Sequence, residues 1–235
     1  MTVDEVLAQL KELGSETTKR TLLRHGACEP FYGVKIGDLQ KLRKQIKVDH
    51  ELALALYATG ISDAMYLAGL IVDDARMTKK DLERWAKGAT WHMLSQYTVA
   101  QTAAQSPHAW ELGLKWIDAK ATKIQSSGWA TLSNYVSIAP DEQLDIAALK
   151  KLLQRVEQTT RAAHDEVRYV MNGFVLCVGG YVKSLTQFAV KTAEKIGPVA
   201  VDMGDTECQV PFVPDYIAKM QARGVIGKKR KAAKC

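Results

Sequence analysis

The stretch LKKLLQRV, residues 149 to 156, places Leu149, Leu152, Leu153 and Val156 on one stripe, with lysine, glutamine and arginine on the rest of the circumference. Apolar residues at i, i+3, i+4 and i+7 fit the 3.6-residue period of an amphipathic helix, not the two-residue period of a strand. The same pattern recurs along the chain. Val6, Leu7, Leu10 and Leu13 form one stripe, and Leu39, Leu42 and Ile46 another, while strand-like alternation is hard to find. Start signals are frequent: Ser62-Asp63, Thr78 with Asp81 three residues on, Ser106 before Pro107, and Pro140-Asp141-Glu142. Gly14, Gly26, Gly60 and Gly88 provide stops.

These signals predict helices beginning near residues 2, 15, 36, 50, 62, 78, 90, 107, 126, 141, 162, 185 and 212. Taking every second start from residue 36 gives spacings of 26, 28, 36 and 36, close to the helix-pair period of HEAT-type arrays. The expected fold is all-α: a HEAT-like α-solenoid of antiparallel helix pairs whose inner helices line a concave groove. A compact irregular helical domain is the alternative. Residues 1–227 form a single repeat domain, residues 197–214 an extended loop within it with room for a short strand, and residues 228–235 a basic C-terminal tail.

Apolar residues make up 47% of the 235-residue chain and charged ones 25%, as in an ordinary globular protein. The longest apolar runs are too short to span a bilayer, and the first residues lack the basic start and apolar middle of a secretory signal. A cytoplasmic location follows, with Cys28, Cys177, Cys208 and Cys235 read as free thiols. Five of the six net positive charges come from Lys228, Lys229, Arg230, Lys231 and Lys234, so the other residues carry about +1. The pI near 9 therefore reports a basic end on a nearly neutral body, suited either to holding a polyanion or to being a solvated terminus.

The catalytic templates are absent: no P-loop, no G-x-S-x-G, no G-x-G-x-x-G and no H-E-x-x-H. Asp202, Asp205, Glu207 and Cys208 lie close together but match no metal-ligand spacing, so no metal is expected. Gly179-Gly180 reads as a helix cap. In GATWHMLSQYTV (88–99), a helix capped by Thr90 would gather Met93, Tyr97, Ala100 and Ala104 on a core face. Trp91 would then stand opposite with Ser95, Thr98 and Thr102, either packing on a neighbour or serving as an exposed platform for a base. Trp129 shares a stripe with Leu132 and Val136, which favours packing. Lys41, Arg43, Lys44 and Lys47 occupy an exposed arc, and His164, Arg168 and Asn172 form an i, i+4, i+8 line; each stripe is either a phosphate-contacting surface or a solvated face.

HGACEPFYGVKIGDLQKLRKQI (25–46) and SDAMYLAGL (62–70) resemble the opening repeats of the DNA alkylation repair family, of the AlkD type. GATWHMLSQYTV, SSGWATLSNYV (126–136) and RYVMNGFVLCVGGYVKSL (168–185) continue the similarity, and VDMGDTECQVP and ARGVIGKKRKAAKC resemble one branch of it. The resemblance implies a concave face that cradles duplex DNA, tryptophans that touch an alkylated purine nucleotide, an aspartate four residues after one of them, and an arginine that grips the backbone. On that correspondence Ser95, or Gln96 with a one-residue shift, stands at the aspartate position and Leu132 at the arginine position; a third family tryptophan falls near Gly173 or Phe174. A fixed carboxylate that stabilises developing oxocarbenium charge is worth about 2.7–4 kcal/mol, and serine carries no charge.

The resemblance thus implies a monomeric DNA-binding protein that recognises damaged, bent or branched DNA, uses no cofactor and has weak or no base-excision activity. DNA, held mainly through its phosphate backbone, would be contacted by Trp91, Ser95, Trp129, Lys41, Arg43, Lys44, His164, Arg168, Asn172 and the tail residues Lys228, Lys229, Arg230 and Lys231. The alternatives are an active alkylpurine glycosylase that uses another carboxylate, and a solenoid that binds protein.

Overall fold

The computed structural model describes residues 1–202 and 209–234. Among these residues the chain forms thirteen α-helices and no strand, in the order α1 Val3–Leu13, α2 Glu16–Arg24, α3 Ile36–Ile46, α4 His50–Ala58, α5 Ser62–Ile71, α6 Lys79–Gly88, α7 Ala100–Gln105, α8 Ala109–Trp116, α9 Thr122–Ile138, α10 Ile146–Thr159, α11 Asp165–Tyr181, α12 Thr186–Ile196 and α13 Val213–Ala222. A π-helical turn, Met93–Val99, leads directly into α7. No single helix is long and apolar enough to cross a membrane.

Side-chain caps start many of these helices. Thr2 and Glu5 close a reciprocal capping box on α1, and Ser15, Asp49, Thr78 and Asp145 each accept an N–H from the first turn of their helix. Other starts differ from the sequence pattern: Ser62 and Asp63 lie inside α5 without capping it, and Ser106 ends α7 while α8 begins at Ala109. Pro140-Asp141-Glu142 opens a 3₁₀ turn, Asp141–Gln143, and α10 begins only after the Asp145 cap. Helix α9 begins at Thr122, ahead of the expected 126, because Ala121 provides no capping side chain to mark it.

The helices pair as α4 with α5, α8 with α9, and α10 with α11, while α5, the π turn with α7, α9 and α11 stack side by side as an inner layer. The apolar core follows this path in two linked clusters, one from Val6 to Trp116 and the other from Ala100 to Ile217. Such continuity with only neighbour contacts is the signature of a repeat stack.

Helix α9 lies at the centre of the stack. Its buried residues include Ser126, Ser127, Gly128, Ala130, Thr131, Ser133 and Ser137, small side chains that let α7, α8 and α11 approach together. Most of the serine hydroxyls donate to carbonyls three or four residues back in the same helix, so little polar capacity is stranded: Ser126 and Ser127 to Lys123, Ser133 to Trp129, and Ser137 to Asn134. At Gly128 a Cβ would stand 2.6 Å from the Ile117 nitrogen and 2.8 Å from the Trp116 carbonyl carbon. Gly179 and Gly180, expected as a cap, lie inside α11; a Cβ there would collide with Ile217 and Met220 of α13.

Residues 197–202 and 209–212 run without regular structure before α13. Asp205, Glu207 and Cys208 lie outside the described residues, and among the described ones no cluster could hold a metal ion. Cys28 and Cys177 are free thiols.

The close approach at Gly128 yields a paired prediction. Gly128→Ala presses a methyl group against backbone and is expected to destabilise by about 1–3 kcal/mol. Gly173→Ala, in α11 with nothing within 4 Å of the new methyl, should gain about 0.5–1 kcal/mol. Denaturant unfolding of the two variants measures both.

Candidate functional site

A cleft of about 940 Å³ opens where the start of the π turn, the start of α11 and the end of α2 meet. Its walls include Arg24 and His25 from α2, Trp91, His92, Gln96 and Tyr97 from the segment around the π turn, and residues 162–169 with Asp202 on the α11 side.

Trp91 stands at its base. The indole is 5% exposed, and its Nε1–H donates to the Ser62 hydroxyl at 2.7 Å. The His92 ring meets it edge-on, with centroids 5.1 Å apart. Trp91 is therefore packed and anchored with only an edge toward the cleft; the freely exposed platform is not what forms. The helix after it begins at His92 without a side-chain cap, not at Thr90.

A π turn closes i→i+5 where an α turn closes i→i+4. The turn leaving Trp91 is still α-like, with the Ser95 N–H donating to the Trp91 carbonyl at 3.0 Å; within the wider π turn that follows, Gln96 and not Ser95 lines the cleft. Ser95 is fully buried and faces α9: its hydroxyl meets Ser126 Oγ at 3.4 Å, and its carbonyl accepts from Ser127 Oγ at 2.9 Å. The same rotation turns Tyr97, expected on the core face, outward to 37% exposure, while Leu94, Thr98 and Val99 pack inside.

The α11 stripe also has a different role from the expected one. His164 Nδ1 accepts the Glu166 N–H as the helix cap. The Arg168 guanidinium donates to the carbonyls of Ala163 and Ala200 at 2.9 and 2.8 Å and pairs with Asp165 at 3.2 Å. Asn172 is buried and donates to the Pro211 carbonyl at 3.0 Å. Asp165 accepts the Asp202 N–H at 2.8 Å. Arg168 and Asn172, with Asp165, thus dock the chain's own segments at 200–202 and 211, while His164 caps the helix; His164 and Arg168 also border the cleft.

Trp129 is 1% exposed, with Phe174 at 5.2 Å between ring centroids and the Arg155 guanidinium 5.7 Å over its ring. Leu132 is fully buried, so neither position reaches a ligand. On α3, Lys41 and Lys44 are exposed and Arg43 is half-buried; Lys41 pairs with Asp38 at 2.8 Å. In the basic segment Lys229 and Arg230 are half-buried with partners inside the fold, whereas Lys228 and Lys231 are exposed.

The cleft carries charge of both signs. Glu166 pairs with Lys123 at 2.6 Å through one oxygen, and its other oxygen is buried without a hydrogen-bond partner among the described residues. Burial holds the His92 imidazole below its ordinary pKa, with the Glu166 charge acting in the opposite sense. Arg24, His25, Lys123 and Glu166 carry no sequence signal for this role, since only the tertiary fold brings α2, α9 and α11 to one place.

The geometry matches known relatives. The profile of the family described as DNA alkylation repair enzyme matches residues 6–194. Two uncharacterised Listeria proteins, Lin0241 of Listeria innocua and Lmo0209 of Listeria monocytogenes, are each 31% identical over 229 residues, spanning 95% of this chain and 99% of theirs. A solved structure 34% identical in sequence superposes with a TM-score of 0.91 over the whole of both chains. It belongs to a family of proteins related to the HEAT-like repeat DNA glycosylases with affinity for branched DNA structures.

Two predictions follow from the turn around Trp91. Ser95→Asp rebuilds the family carboxylate by spacing alone, but places a charge against Ser126 and Ser127; it should cost more than about 2 kcal/mol in unfolding experiments. For His92, the unfolded chain holds a proton below 6.5 that the folded chain lacks. Stability therefore rises with pH through the window between the lowered value and 6.5, and is lost on acidification. Melting curves at about pH 7.5 and about pH 5.5 should show a smaller drop for His92→Gln than for the wild type.

Proposed function

Because this chain belongs to the DNA alkylation repair enzyme family, we propose that it binds branched DNA across the inner face of the helix stack and cleaves no glycosidic bond. The observation that carries the second half is Gln96. The position beside Trp91 in the cleft holds a neutral amide, which can hydrogen-bond a base edge or a water but cannot offset positive charge developing on a sugar.

Binding itself draws on the electrostatics of the cleft's surroundings. Arg24 borders the cleft, and the π turn and α9 begin at His92 and Ala121 with no side-chain cap. Their first N–H groups and positive helix ends favour phosphate. Lys41, Lys44, Lys228 and Lys231 are exposed cations available to other arms of a branched duplex. Asp165, Glu166 and Asp202 line the cleft itself, so phosphates pass along its rim, and the interior suits an unstacked base. The protein works as a monomer without a cofactor, in the cytosol where the chromosome lies.

A second reading rests on Glu166, whose other oxygen is buried at the cleft without a partner among the described residues: this carboxylate would replace the family aspartate. It predicts purine release that Glu166→Gln abolishes.

Fluorescence anisotropy with a four-way junction and a linear duplex of equal length tests the binding claim. The junction should bind more tightly, with the logarithm of the association constant falling linearly with the logarithm of salt concentration, at about 0.9 per phosphate contacted. Equal affinity for the two DNAs, or binding insensitive to salt, contradicts it.

A further inference from the structure

The basic segment does not project into solvent but runs back along the stack. After α13 the chain turns at Gly224 and Gly227, both at positive φ. The Gly227 N–H donates to the Gly180 carbonyl in the last turn of α11 at 2.8 Å. Lys229 Nζ donates to the Val136 carbonyl and pairs with Asp141, each at 2.9 Å, and the Arg230 N–H donates to the Ser137 carbonyl at 2.8 Å, all near the end of α9. The Ala233 N–H then donates to the Gln105 amide oxygen at the end of α7, 128 residues away in sequence, at 2.8 Å; Ala233 is fully buried. Finally Lys234 pairs with Asp74, in the turn after α5 and 160 residues away, while Gln105 holds the other Asp74 oxygen at 2.6 Å.

One short segment therefore touches, in order, the C-terminal ends of α11, α9 and α7 and the turn that follows α5. We infer that residues 227–234 form an intramolecular clasp that fixes the curvature of the inner stack, so that the groove's affinity for DNA depends on cations that do not touch DNA.

The placement has a physical cause. The last turns of α11 and α9 leave carbonyls without intrahelical partners and a negative partial charge, which the Gly227 and Arg230 N–H groups and Lys229 satisfy. The links at α7 and after α5 run through the side chains of Gln105 and Asp74. In a repeat stack each helix otherwise contacts only its neighbours, so small changes of angle accumulate along the array. A tie across four helices removes that freedom. The last link is the tightest: the side chains of Lys234 and Asp74 are only 7% and 17% exposed. Burial lowers the Lys234 ammonium and raises the Asp74 carboxyl, with the partner's charge opposing each shift. Neither charge is stable there without the other, so removing one leaves an unpaired buried charge.

The DNA-dependent half of the inference rests on the binding function proposed above; the clasp itself does not, and the experiment separates them. The full chain, Lys234→Ala, a variant lacking residues 228–235, and the exchanged pair Asp74→Lys with Lys234→Asp are compared by thermal unfolding, by amide exchange, and by junction binding across a salt series. Lys234→Ala should lower the melting temperature by roughly 5–15 °C. Amide exchange should accelerate at the last turns of α7 and α9, and the exchanged pair should recover part of both losses. Junction affinity of Lys234→Ala should fall several-fold with the salt slope unchanged, and the truncated variant should lose at most about 2 in slope, for Lys228 and Lys231. An unaltered melting temperature and exchange pattern in Lys234→Ala would overturn the clasp. If removing residues 228–235 lowers the salt slope by about 3 or more, the segment holds phosphates instead. If no variant binds DNA, unfolding and exchange still decide the clasp, and the proposed function fails separately.

Discussion

The close approach of α9 to its neighbours is the constraint from which the other features follow. With Gly128 against the backbone at the end of α8 and serines and alanines along its length, α9 is narrow enough for α7, α8 and α11 to converge on it. That convergence brings the start of the π turn and the start of α11 to one rim, where they enclose the cleft. It also brings the ends of α7, α9 and α11 to the opposite rim, where residues 227–234 cross them. Larger side chains on α9 would spread both rims at once. Small-residue packing in one helix thus governs both the site and its closure.

Charge is used in an unexpected way along these rims. The body of the molecule is close to neutral, and several cations that could meet a polyanion are bound internally: Arg168 to backbone carbonyls, Lys229 to Val136 and Asp141, and Lys234 to Asp74. On the proposed reading, DNA meets exposed lysines, Arg24 and uncapped helix starts around a cleft with carboxylates inside it. Such a distribution disfavours a straight duplex pressed into the cleft and favours a structure whose arms lie apart.

Much of the fold was legible in the sequence because helix signals are local. Thr78 caps its helix as its spacing with Asp81 indicates, helices begin close to the expected residues 2, 15, 36 and 50, and the leucine stripes of α3 and α10 are core. The resemblance also pointed to the family to which the chain belongs. The site was less legible. Helical-wheel spacing assumes 100° per residue, and the π turn breaks that assumption at Met93–Val99: Ser95 is buried against α9, Gln96 is buried in the cleft wall, and Tyr97 is exposed. The His164, Arg168 and Asn172 line was visible as a polar stripe, but what it faces is set by residues 200 and 211, more than thirty positions away. A run of lysines likewise gives no hint that its partners are a helix-end carbonyl 93 residues distant and a carboxylate 160 residues distant. Local periodicity records which side of a helix is polar, not which polar group meets it.

The central claim is that a family scaffold with a neutral amide in its cleft recognises DNA without chemistry. Single-turnover incubation of the protein with DNA containing 3- and 7-methylpurines, followed by chromatography of the released bases, tests it most directly. The account predicts release no faster than in protein-free buffer while the same preparation binds a four-way junction. Release at a rate well above the buffer control, lost on Trp91→Ala or Glu166→Gln, would contradict it.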